Sequence, residues 1–334
     1  MFSLPVPVNV HHISYKDMTL LQAKKPKDPS MGVYRSVITC EERVLCVAPP
    51  RSIPFDEFVS RYPIENVQVD EFVDGTMVNV FFKDTWVLST KSCIGANNHF
   101  LEGSPSFAEM FMDAANVMGL NMNTLDKTMC YSFVLQHPKN RIVAPIKTPF
   151  LILVKCYLIR EKDVAETVVN LPLPRPRQMC ASSYDEVKSW AKIVPFHVKG
   201  YMLHAWDGTR SKVMGEKYLE VSQLRGSGTS MKMRLLELWN KPELHAFRGL
   251  YPEAPFGEVN GLVRRFTNDL YTMYLECFRE NSKKLKEYPR EFRPHMYALH
   301  QLYLSSWPTP IHKKRVVEYV SKMSAVQLSA ALKI

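Results

Sequence analysis

Few side chains in this 334-residue sequence have the types and spacings that chemistry needs. His11-His12, His137, His204, His295 and His300 show no metal-ligand spacing and read as structural or surface histidines. Seven cysteines include no Cys-x-x-Cys pair, so neither a zinc site nor a disulfide framework is expected. Gly226-Ser227-Gly228 is too short for a phosphate loop and is not followed by Lys-Ser/Thr. Trp86, Trp206 and Tyr201 are candidate base-stacking platforms, though aromatics on strands pack into cores by default. The richest stretch is Val67 to Val80, where Asp74-Gly75 interrupts an alternating apolar pattern. By itself Asp-Gly between two such runs reads as a hairpin turn, since both central positions tolerate φ > 0.

More than a turn lines up around that pair. Two residues before Asp74 stands Phe72. Upstream, Tyr34-Arg35-Ser36-Val37 is followed by Val44 to Phe55, which contains Arg51. Downstream come Leu88-Ser89-Thr90-Lys91-Ser92, then Tyr131 to Val143 with His137-Pro138-Lys139-Asn140-Arg141. Val198-Lys199-Gly200-Tyr201-Met202 and Lys212-Val213-Met214-Gly215-Glu216-Lys217-Tyr218 complete the series. Over about residues 30–225 these segments, in this order, resemble the phage-type RNA ligase 1 family of the covalent nucleotidyltransferase superfamily. On softer grounds the chain is similar to ligase-like proteins of large DNA viruses.

In that family the lysine of Lys-x-Asp-Gly attacks the α-phosphate of ATP. One glutamate grips the ribose, a second holds the divalent metal, and lysines neutralise the phosphates. The resemblance sets Phe72 at the nucleophile, Val134 at the first glutamate, Lys199 at the metal-binding glutamate and Met214 at the second lysine of the last motif. No residue is left for a catalytic role, because a phenyl ring forms no phosphoramidate. Lys83 and Lys91 are not expected to rescue it, since in-line attack needs placement to about an ångström.

Nucleotide or phosphate binding is implied at Arg35, Arg51, Asp74, Gly75, Lys91, Asn140, Arg141 and Lys212. A pocket with those cations and no carboxylates would attract phosphate and hold Mg²⁺ poorly. ATP is thus the one cofactor the resemblance leaves open, and no metal is expected. The leading function is a catalytically degenerate RNA-ligase-like protein that binds RNA or a nucleotide. The alternatives are an active ATP-dependent RNA ligase with an unrecognised nucleophile, and a non-enzymatic structural or virion-associated protein that keeps the fold as a scaffold.

Those residues need a framework. Period-2 alternation and β-rich runs predict strands at Arg43–Ala48, Val67–Val73, Val78–Phe82, Thr85–Ser89, Met129–Leu135, Phe150–Ile159 and Gly200–Trp206. Helices are expected at Phe55–Tyr62, Ser106–Met118 and Tyr184–Ile193, and Asn170–Arg177 reads as a proline-stiffened connection. After Arg225-Gly226-Ser227-Gly228-Thr229, a flexible hinge, the pattern turns helical: Met231–Trp239, Gly257–Glu280, Pro294–Ser305 and Ile311–Leu332. In the second of these Val259, Leu262, Val263, Phe266, Leu270, Met273 and Phe278 share a face. The expected fold is α+β: a ligase-like nucleotidyltransferase domain of antiparallel sheets flanked by helices over 1–225, then a small all-helical domain over 226–334.

The net charge of +10 is unevenly placed. From Arg225 onward 18 Lys/Arg face 10 Asp/Glu, a net of +8, so RNA or another polyanion is the expected partner. The longest apolar run, Phe150–Ile159, is broken by Lys155 and is too short for a bilayer. Met1-Phe2-Ser3-Leu4-Pro5 has neither the basic start nor the long apolar stretch of a signal peptide. A reducing, cytoplasmic or other intracellular compartment is the expectation, with no membrane partner.

Overall fold

The computed structural model describes residues 2–334 except 5, 7, 24–28, 42, 102 and 162. Met1 and Pro5, within the stretch tested for a leader, lie outside the described residues. The chain forms two compact units, Met1–Gln223 and Leu224–Ile334.

Among the described residues the first unit holds three antiparallel sheets. The largest runs, in spatial order, Phe2–Ser3, Asp163–Thr167, Phe150–Arg160, Met129–Gln136, Thr76–Phe82 and Trp86–Ser89. Its central strand Met129–Gln136 is buried from Cys130 to Leu135, which is why it reads as a continuous apolar run rather than an alternating one. Tyr131, Phe133 and Leu135 pack under the helix Phe107–Val117. That helix starts where Ser106 and Glu109 close a reciprocal capping box. A four-stranded sheet, His11–Tyr15, Met18–Gln22, Val37–Cys40 and Arg43–Val47, supplies a second core around Leu20, Ile38 and Cys46.

The third sheet runs Gln178–Met179, Val67–Glu71, Gly200–Ala205 and Arg210–Met214. One face carries Val69, Tyr201 and Leu203, which pack on Phe58, Val187 and Ala191 of the helices Phe55–Arg61 and Tyr184–Ile193. The opposite face, carrying Asp70, His204 and Lys212, is free to build a site.

Asp74-Gly75 is not a hairpin turn. The strand before it pairs within the third sheet and the strand after it within the largest, so the pair carries the chain from one sheet to another. The crossing is tight. Gly75 has φ +141°, and a Cβ there would lie 2.5 Å from the Leu135 carbonyl oxygen and 2.7 Å from Val134. Glycine is required by both conformation and space.

The second unit is helical: Met231–Glu237, Glu243–Leu250, Phe256–Phe278, Arg293–Ser305, Lys313–Ser321 and Ala325–Leu332. On the long helix Val259, Val263, Phe266 and Leu270 are buried as expected, joined by Tyr274 and Cys277, while Leu262, Met273 and Phe278 are half-buried. The expected Ile311–Leu332 helix is two helices, because Ser324 caps the second with Gln327 and ends the first. The helices Glu216–Arg225 and Glu243–Leu250 were not expected. The glycine-containing segment Arg225–Thr229 lies within the second unit, where Arg225 donates to the carbonyls of Gly226 and Gly228. All seven cysteines are free thiols. Among the described residues no helix is long and apolar enough to cross a membrane.

Candidate functional site

A cavity of about 330 Å³ in the first unit is lined from both sides by sheet residues. Cross-strand register in the third sheet sets Met202 opposite both Asp70 and Lys212, and His204 opposite Arg210. Side chains alternate along a strand, so these residues share the face that borders the cavity. Met77, Val134 and Val154 of the largest sheet form an apolar wall. Arg35, Arg51, Lys91 and Lys199 bring the cations around the cavity to six, with Arg210 and Lys212.

Their convergence has identifiable causes. Gln22, buried at the end of its strand, donates through its amide to the Lys91 carbonyl at 2.9 Å and, more weakly, to the Arg35 carbonyl at 3.4 Å. One side chain thus draws two distant segments together. The stretch from Pro49 to Ile53 is fastened to the neighbouring strand. Arg210 donates to the Pro49 and Pro50 carbonyls, Ser211 donates to that of Ile53, and the Ile53 amide donates back to Arg210. Arg51 is held by its bond to the Ala23 carbonyl. No sequence motif marks Gln22, Ser211 or Arg210; a buried polar residue at a strand end is the single hint.

The cations crowd one another. Burial lowers the pKa of Arg35, Lys91 and Lys212, and neighbouring positive charge lowers each further: Arg51 on Arg35; Arg51 and Arg35 on Lys91; Lys199, Arg35 and Arg210 on Lys212. Arg210, only 4% exposed, is pushed down by burial and by Arg35. Among the described residues none of Arg35, Arg51, Lys91, Arg210 and Lys212 forms a salt bridge. A buried guanidinium without a counter-ion is costly unless an anion arrives.

Lys199 has a partner. Its ammonium lies 3.2 Å from Asp74 Oδ1 and 4.6 Å from the centroid of the Phe72 ring. Asp74, only 3% exposed, also accepts from the Tyr218 hydroxyl at 2.6 Å and from the amides of Val143 and Ala144. Burial alone would raise its pKa; Lys199, Tyr218 and the two amides together hold it below the ordinary value.

The structure therefore gathers Arg35, Arg51, Gly75, Lys91 and Lys212 at the cavity and sets Asp74, Asn140 and Arg141 to other work. Asn140, fully buried, exchanges hydrogen bonds with Thr76. Arg141 donates to the Val143 carbonyl, beside the amides that grip Asp74. Lys83, paired with Asp17, does not line the cavity. Of the aromatic candidates, Tyr201 is buried against Trp190 and Trp86 packs in the core beside Tyr131, whereas Trp206 is 80% exposed.

The expectation of a cavity without carboxylates is overturned, since Asp70 and Glu71 both border it. The resemblance does not point to them, because they precede Phe72 on the strand and occupy no motif glutamate position. They do not suit a divalent cation. Both Asp70 oxygens accept from Gln68, and burial raises its pKa. Glu71 pairs in register with Tyr201 and so belongs to the opposite face. Asp70 also lies 3.4 Å from His204 Nε2. Burial, Lys155 and Arg210 push His204 down to about 3, so this contact joins a carboxylate to a neutral imidazole. Among the described residues no three His, Cys, Asp or Glu side chains gather as a metal site.

No family model matches the chain. An "Immediate-early protein ICP-46 homolog" of Invertebrate iridescent virus 3 is 24% identical over 183 residues, which is 52% of this chain. The match spans 40% of the length of that curated relative. Among solved structures, a putative ATP-dependent DNA ligase from Aquifex aeolicus aligns over 81% of this chain and 74% of its own, at 13% identity and TM-score 0.43. An RNA ligase of Naegleria gruberi aligns over 52% and 57%, at 12% identity and TM-score 0.38. Likenesses this loose carry no argument about the site.

Proposed function

We propose that the chain is an RNA-ligase-like protein of nucleotidyltransferase fold that binds nucleotide or RNA and does not transfer the nucleotidyl group. One observation carries this reading: a single cavity joins six cations to Phe72, the residue standing where the family has its nucleophilic lysine. Guanidinium and ammonium groups bind phosphate by charge-assisted hydrogen bonds, and the planar fork of Arg35 suits a bidentate one. The wall of Met77, Val134, Val154 and Met202 offers an apolar surface to a base.

The test is incubation with α-labelled ATP and metal, followed by a denaturing gel, beside filter retention of labelled RNA. Retention without covalent label is expected for wild type. Phe72→Lys should also stay unlabelled, because Val134 and Lys199 stand where the family needs carboxylates. Strong covalent labelling of either protein overturns the reading. An active ligase remains the second reading because one lysine ammonium, that of Lys199, reaches the Phe72 ring. Label that vanishes in Lys199→Met would establish it. Absence of both label and retention would favour the scaffold.

A further inference from the structure

Three features of the cavity bear on the form in which it takes its ligand. Five of its cations lack a carboxylate partner among the described residues, and one of those, Arg210, is almost wholly buried. The sixth, Lys199, is fixed from two sides, by Asp74 at 3.2 Å and by the Phe72 ring at 4.6 Å. The two carboxylates at the rim cannot cooperate: Asp70 is held at both oxygens by Gln68, and Glu71 is on the other face of the strand.

Mg²⁺ bound with a nucleotide keeps its place through one or two protein carboxylates and the phosphate oxygens. Here the protein offers cations instead. We propose that the pocket binds a triphosphate as the metal-free anion, with the five cations that lack a carboxylate partner, and the Lys199 ammonium positioned among them by Asp74, together supplying the charge that a divalent ion supplies in metal-dependent sites. This rests on the nucleotide-binding reading above and adds to it the ionic form of the ligand. Phe72 has a role in this arrangement. Its π-face and the Asp74 carboxylate fix the ammonium without consuming all its donors, since Lys carries three N–H groups and the ring takes none of them as a full hydrogen bond.

The physical consequence is a reversed dependence on magnesium. Chelation of the phosphates by Mg²⁺ cancels two of the ligand's negative charges and places a cation against the cluster. Both changes weaken attraction to Arg35, Lys91, Lys199, Arg210 and Lys212 at close range. The triphosphate has two sources, a free nucleotide or the 5′ end of an RNA. A short RNA with a 5′-triphosphate, compared with the same RNA ending in a 5′-hydroxyl, separates them.

The experiment is calorimetric titration of the full chain with ATP and with the two RNAs, in EDTA and in excess Mg²⁺ at matched ionic strength. ATP, the 5′-triphosphate RNA or both should bind in EDTA and weaken by at least about fivefold in Mg²⁺. Affinity that is unchanged or tightened by Mg²⁺ overturns the inference and leaves the nucleotide reading standing. If no triphosphate ligand binds in either condition, both fall. Lys199→Glu should lose most of the affinity measured in EDTA and regain part of it on adding Mg²⁺. A variant that keeps wild-type affinity in EDTA removes Lys199 from the account. The wild-type magnesium titration decides the main point even if that variant fails to fold.

Discussion

The two units carry positive charge in opposite ways. The helical unit holds a net +8, yet its cations are spread over helix surfaces and several are matched: Lys232 with Glu258, Arg234 with Glu237, Lys283 with Glu276 and Lys333 with Glu291. Residues 1–224 have a net of only +2, yet six cations of the sheet unit border one cavity, five of them without an acidic partner among the described residues. Net charge speaks to long-range attraction, whereas a site requires that charges be held together against their own repulsion. In the sheet unit the holding is done by Gln22, by the strand that pins Pro49 to Ile53, and by the Asp74 network.

The sharpest way to break this comparison is to exchange a glycine in each unit. Gly75→Ala should cost about 3 kcal/mol or more, because it strains φ and drives a Cβ into the Leu135 carbonyl. Gly261→Ala, in the long helix with nothing within 4 Å, should instead stabilise by about 0.5–1 kcal/mol. Thermal melting of both variants checks the pair, and equal effects would discredit the crossing as a point of strain.

Asp74→Asn comes next. It leaves Lys199 without its carboxylate and should cost about 3 kcal/mol, read by urea unfolding. Because folding lowers the Asp74 pKa, its contribution is present above the unfolded value of 3.8 and lost as pH falls through the folded one. His204 adds a second acid-sensitive step at higher pH. Its pKa drops from 6.5 to about 3 on folding, so the stability it protects is whole above 6.5 and drains away as pH falls toward 3. A His204→Gln variant should flatten the unfolding profile across that window. A profile that keeps its wild-type slope there assigns the acid sensitivity to other groups.

Smaller effects sharpen the contrast in binding. Arg35→Ala should weaken ATP by about tenfold, since charge-assisted bonds in a partly desolvated site are the strong ones. Lys91→Ala and Lys212→Ala, exposed at the cavity rim, should cost only about threefold each. If all three leave calorimetric affinity unchanged, the phosphate site is elsewhere. In the helical unit Lys313 and Lys314 are exposed in the first turn of their helix, where the helix dipole disfavours cations. Replacing both with Gln should leave ATP affinity intact and reduce the salt dependence of single-stranded RNA binding by about 1.4 in the log–log slope. A loss of ATP binding in that variant would erase the distinction between the two units.

Much of this architecture is written locally. The alternation in Val67–Phe72, the mostly apolar run Gly200–Ala205, the capping box at Ser106 and the apolar stripe from Val259 to Leu270 act over a few residues, and so are legible in the chain alone. The order of the motif segments likewise pointed to Arg35, Arg51, Lys91 and Lys212, all of which border the cavity. The fate of Asp74-Gly75 was not local. The same two residues close a hairpin or cross between sheets depending on which strands pair outside them, and that choice is made by Met129–Gln136 and Gly200–Ala205. Nor could spacing reveal that Gln22 reaches Lys91 across 69 residues and Arg35 across 13, or that Asp70 and Glu71 border the cavity from opposite faces of their strand. Residue types and periodicity determined which elements form and which charges are available. Strand register and long-range hydrogen bonds decided which of those charges meet, because contacts between distant segments exist only once the sheets have assembled.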